Sequence, residues 1–159
     1  DQVVLVALSS AAGDPSVGIS AKEADYNVSR SQGSAMTVSS TFSGNGMGGE
    51  FGQMLTAHDD THSSATAGTV VDSGASSSNG ASAYLQVISI DSGSVIVNLQ
   101  ESTSSGGSYT NFMTFSTVAA AGAPTAVRQT MAGTLQRYIK VTTTGTFSNA
   151  KIAVALCRL

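Results

Sequence analysis

Apolar and polar residues alternate with a period of two along most of this chain, and β-branched residues crowd the alternating runs, the pattern of half-buried antiparallel strands. Strands are predicted near Val3 to Leu8, Ser20 to Ser29, Ser34 to Phe42, Thr69 to Asp72, Ala81 to Ile90, Val95 to Glu101, Asn111 to Phe115, Ala126 to Met131, Gln136 to Thr142 and Ala150 to Cys157. Tyr84 to Ile90 and Val95 to Leu99 flank Asp91-Ser92-Gly93, which predicts a hairpin, because glycine accepts the left-handed conformation of a tight loop. Phe51, Met54 and Leu55 fall at i, i+3 and i+4 and predict one or two helical turns, kept short by Gly48, Gly49 and Gly52. Val3 to Leu8 is apolar without alternation. Such a strand is expected to bury both faces, one in its own layer and one against a neighbouring chain or a further segment.

From Ala57 to Gly80 small and polar residues dominate, which predicts an exposed connection that orders only in part. The expected fold is therefore an all-β, antiparallel β-sandwich with at most one short helix. Its two packed subdomains would span residues 1 to 60 and 61 to 159.

Composition narrows the function. Only 11% of residues are charged, against about 25% in typical domains, and hydroxyl groups take their place, with 26 Ser and 17 Thr. Seven scattered basic residues and a net charge of -3 argue against tight nucleic-acid binding, which needs clustered cations to displace counterions from phosphates. The apolar runs fall far short of the ~20 residues a membrane helix needs. Cys157 can form no intrachain disulfide and no Cys-x-x-Cys metal pair, so it is expected to serve as a small buried apolar side chain. No charged-then-apolar signal segment opens the chain, which is read as a mature or trimmed piece.

Candidate chemistry is sparse. His58-Asp59-Asp60-Thr61-His62 places two imidazoles at i, i+4, but neither a third ligand nor helical surroundings accompany them, and a solvated loop is expected. A serine nucleophile with His58 or His62 as base and Asp72 or Asp91 as orienter lacks any fixed frame such as Gly-x-Ser-x-Gly. Gly44 to Gly49 has neither the lysine nor the strand–helix context of a phosphate loop. Tyr109 follows Gly106-Gly107-Ser108 and is the candidate glycan contact, whereas Tyr84 and Tyr138 lie within strands. Arg128, Arg137 and Lys140 are expected on a solvated strand face, with interchain salt bridges as the functional alternative. No catalytic residue, cofactor site or metal site is assigned.

The order of elements from Ala81 to Leu159 runs Tyr84-Leu85-Gln86-Val87, a turn, Val95-Ile96-Val97-Asn98-Leu99-Gln100-Glu101-Ser102 and a Gly-rich loop ending Ser108-Tyr109-Thr110-Asn111-Phe112. Phe115 to Gln129 and then Leu135 to Leu156 complete it. This order resembles the C-terminal β-sandwich module of tail tube (major tail) proteins of long-tailed bacteriophages, and Ser20 to Leu55 resembles the closing strands of the preceding tube domain. The family's tube domain has several further strands, among them the long hairpin that lines the tube, before the segment matched by Asp1. The resemblance implies a virion structural protein, assembled in the host cytoplasm, that forms homo-oligomeric rings with other virion proteins around DNA passing as non-specific cargo. A capsid decoration protein and a carbohydrate-binding module are the alternatives. The oligomer interface is placed on Val4, Val6, Leu8, Phe51, Met54 and Leu55.

Overall fold

The computed structural model describes residues 2–30, 32–33, 35–46 and 48–159. Fourteen strands follow one another: β1 Gln2–Ala7, β2 Pro15–Ser29, β3 Thr37–Gly44, β4 Glu50–Met54, β5 Asp60–His62, β6 Ala67–Asp72 and β7 Ala81–Ser89. Then come β8 Ser92–Ser102, β9 Thr110–Thr114, β10 Val118–Ala119, β11 Thr125–Met131, β12 Tyr138–Thr144, β13 Phe147–Ser148 and β14 Ala150–Arg158. The only helical element among the described residues is a 3-10 turn at Ala120–Gly122.

Every strand pairing is antiparallel, and two sheets result. The first runs β1-β2-β4-β14-β7-β11, with β3 added to β2 and β5 to β14; the second runs β10-β8-β12-β6, with β9 and β13 added to β8. Alternation fills the space between them. Leu85, Val87, Ile152, Val154 and Leu156 of the first sheet meet Val95, Val97, Leu99, Ile139 and Val141 of the second in one core. The chain is thus the expected antiparallel sandwich. The boundary expected near residue 60 falls inside a continuous sheet, because β4 and β5 both pair with β14.

The first sheet also curls. Met54, Tyr84, Ala153, Ala155 and Cys157 point away from the second sheet, and Val3, Leu5 and Ala7 of β1 pack over them, making a second, smaller core. That explains why β7 and β14 read as nearly continuous apolar runs: both of their faces are covered.

Four expectations are corrected. Asp91-Ser92-Gly93 does not close a hairpin, since β7 pairs with β14 and β11 while β8 pairs with β12 and β9. The turn carries the chain from one sheet to the other. Gly93 is left-handed as anticipated (φ 80°), and a side chain there would strike the Thr146 carbonyl. Phe51, Met54 and Leu55 lie on strand β4 and its exit, not on a helix. Gly52 lets β4 press against the Leu156 carbonyl, where a Cβ would sit 2.2 Å from the oxygen, and this close pairing overrides the weak helical spacing. The stretch from Ala57 to Gly80 is no loose connection, because it contains β5 and β6. Finally, β1 covers only one face within the chain: Val6 stays 47% exposed and Leu8, just beyond the strand, 62%.

Candidate functional site: an uncovered apolar sheet face

The sequence placed six residues at an interface, and the structure divides them. Met54 is sealed in the smaller core and Leu55 in the inter-sheet core, so neither reaches a partner. The other four share one surface. Val6 lies opposite Val17, and Val17 opposite Phe51, so the three form a row across β1, β2 and β4. Directly opposed residues point to the same side of a sheet. The next row pairs Val4 with Ile19, and Leu8 continues the ladder through its N–H, which donates to the Pro15 carbonyl at 3.1 Å. The second sheet does not extend over these rows, and Phe51 is left 78% exposed.

This face continues outward along β2. Beyond Ala21, β2 pairs only with β3, and the ribbon from Lys22 to Gly44 projects as an arm whose described residues are exposed throughout. A bulge between Glu23 and Asp25 resets the alternation, so that Phe42, Tyr26, Val28 and Val38 fall on the side already occupied by Val17 and Ile19. Asn27, Ser39 and Thr41 fall on the reverse side. The arm is therefore amphipathic, apolar on one face and hydroxyl-rich on the other. Sequence reading found both of its strands but not its isolation, which depends on where the second sheet stops. Met47, in the glycine run considered as a phosphate loop, lies outside the described residues.

Polar clusters elsewhere are engaged within the chain. Inside the curl, Glu50 accepts hydrogen bonds from Arg128 (2.7 and 3.1 Å), from Ser82 (3.0 Å) and from the Tyr84 hydroxyl. Burial opposes ionisation of Glu50, but the bonds from Arg128, Tyr84 and Ser82 prevail and hold its carboxyl below the usual range. Burial, then the Glu50 carboxylate, pushes the Tyr84 phenol up to about 12. Arg128 is therefore not on a solvated face, and its ion pair is intrachain. Arg137 likewise pairs with Asp72 at 2.7 Å, and its hydrogen bonds draw that carboxyl down to about 2.

His62 is buried on β5 rather than loose in a solvated loop. Its Nε2 lies 3.2 Å from Asp60 Oδ2 and its Nδ1 3.0 Å from Thr143 Oγ1. With Nε2–H donated to the carboxylate, Nδ1 accepts the Thr143 hydroxyl, which itself accepts the Thr66 N–H at 3.2 Å. Carboxylate, imidazole and hydroxyl stand in the order of a nucleophilic relay. Thr143, however, is only 2% exposed, which leaves its oxygen no room for a substrate, and the relay fastens β5 of one sheet to β12 of the other. His58 lies apart at the surface, 3.6 Å from Asp59. No group of three His, Cys, Asp or Glu among the described residues could hold a metal ion.

Tyr109 offers little platform for a sugar. Lys140 Nζ stands 4.1 Å from its ring centroid, and its hydroxyl donates to the Ser105 carbonyl at 3.1 Å. Beside β1 lies an open cavity of 620 Å³ lined largely by Leu5 to Ser10, Met54, His58 and Ala153.

These features define an antiparallel β-sandwich bearing an exposed amphipathic arm. In comparison with known proteins, no family model and no curated protein matches the chain.

Proposed function

We propose that this chain is a structural subunit of a tailed-bacteriophage virion, in the wall of the tail tube, and that it works by associating with further copies of itself. The observation that carries the reading is the row Val6, Val17 and Phe51: an apolar surface continuous with a folded core, in which Val6 is left 47% and Phe51 78% exposed by the described residues. Side chains in cores are used up by folding, whereas these remain for a neighbour. The polar clusters that could bind or react are closed on themselves, which leaves association as the function best supplied with residues. A net charge of -3 suits a wall past which DNA slides without being held. The phage assignment rests on the order of elements from Ala81 to Leu159.

Negative-stain electron microscopy of the purified chain, with light scattering after size exclusion, tests the reading. Rings or stacked tubes support it. A surface lattice would move the subunit to the capsid exterior, and a monomer at every concentration that binds a glycan array would replace it with the carbohydrate-binding reading.

A further inference from the structure

We infer that the arm formed by β2 and β3 lays its apolar face on the Val4, Val6, Val17 and Phe51 face of a second copy of this chain. The inference rests on the assembly reading and deepens it by naming the two surfaces that meet.

A two-stranded ribbon is at best marginally stable alone in water, and among the described residues this one has no third strand and no layer beneath it. Its Tyr26, Val28, Val38 and Phe42 face nevertheless has the composition of a packed surface. The arm cannot cover its own base. Both belong to one side of one strand, so folding the arm back would require breaking β2. The cover must come from another molecule.

The chemistry of that molecule follows from the strip. Its one charged side chain, Glu23, accepts a hydrogen bond from the Ser40 hydroxyl at 2.6 Å and stands alone beside Tyr26, Val28, Val38 and Phe42, so the strip suits an apolar partner better than a charged one. A neutral, apolar, β-rich surface fits, and the base of a second copy is one. From Val17 to Val28 the strip runs about 35 Å, at about 3.3 Å per residue, and it is two to three strands wide at about 4.8 Å each. Docking the arm of each copy head to tail on the base of the next covers at most about 340–500 Å² of flat area per copy, below the ~800 Å² per partner of a standard interface, and leaves a pair with one free arm and one free base. An isolated pair is accordingly weak, and repetition around a ring or lattice supplies the remaining strength.

The test combines charge and crosslinking. Val38→Glu and Val28→Glu place carboxylates on the arm without touching either core, and circular dichroism melting verifies that the body is intact. Separately prepared Val38→Cys and Val6→Cys chains are mixed and oxidised mildly, with Val38→Cys plus Ser104→Cys as control; the native Cys157 is buried and does not compete. The expected results are loss of higher species in both Glu variants, by at least tenfold in the concentration needed, and a mixed disulfide only in the Val38→Cys and Val6→Cys pair. Assembly that survives both Glu variants, or crosslinking no greater than the control, overturns the arm inference while leaving the assembly reading in place. A wild-type chain that stays monomeric at every concentration overturns both.

Discussion

Glu50→Gln should be among the most damaging single changes outside the apolar core. Glu50 sits on β4 and Arg128 on β11, at opposite sides of the curled sheet, with side chains 12% and 16% exposed. Glutamine keeps the shape but removes the charge, leaving the Arg128 guanidinium desolvated without an anion and its own amide hydrogens facing donors. Breaking a buried pair from one side costs about 3–5 kcal/mol, and the residual exposure places this one near the lower end, at about 3 kcal/mol. For a domain of this size that corresponds to a fall in Tm of about 6–12 °C. Urea unfolding followed by circular dichroism gives the free energy directly. Arg128→Met in the same chain removes the stranded cation, so the double variant should lose less than the sum of the two singles. The pH dependence has a fixed sign. Glu50 has a folded-state pKa below its ordinary 4.5, so its contribution is complete above that value and disappears as pH falls through the folded-state value. The gap between wild type and Glu50→Gln should therefore close in the acid range below 4.5. A gap under 1 kcal/mol at neutral pH, or one that does not narrow on acidification, would refute the clasp.

Two further outcomes are expected. Gly18→Ala brings a Cβ within 2.4 Å of the Tyr84 ring, which Glu50 and Arg128 hold in place, and should cost about 1–3 kcal/mol; Gly106→Ala, with open space around it, should be nearly neutral, and equal melting of the two would disprove the close packing. Thr143→Val strands His62 Nδ1 inside the protein, at about 1–3 kcal/mol for the unpaired group, whereas Thr143→Ser should melt close to wild type; a valine variant as stable as the serine one would show that the relay does not hold the sheets together.

Strand identity could be read from the sequence because it depends on local pattern, alternation around Val141 and short apolar, β-branched runs around Val87, Val97 and Val154. Pairing could not. Asp91-Ser92-Gly93 has sound turn chemistry, but nothing local says whether the next strand returns beside the last or crosses to the facing sheet. The helical spacing of Phe51, Met54 and Leu55 failed for a related reason, since the Leu156 backbone, more than a hundred positions away, presses on Gly52. At the candidate site, Val4, Val6 and Leu8 are legible as an apolar run without alternation, and Phe51 enters through a helical spacing with Met54 and Leu55. Met54 and Leu55 come in by the same spacing as Phe51, but the curl of the sheet buries Met54 and the facing sheet buries Leu55. The Asp60, His62 and Thr143 relay joins positions 81 residues apart, and its threonine has no feature to distinguish it among seventeen.

The strand order also sets a schedule. β14, the last strand to be synthesised of those described here, lies between β4 and β7 in the first sheet, so neither can complete its pairing until residues 150–158 have left the ribosome. Until then the nascent chain presents two unpaired edges and half of an apolar core, the conditions under which chains of the same kind stick to one another. The interval between synthesis of β7 and arrival of β14 is therefore the period of greatest exposure, and a chaperone that shields β-edges would have its effect there.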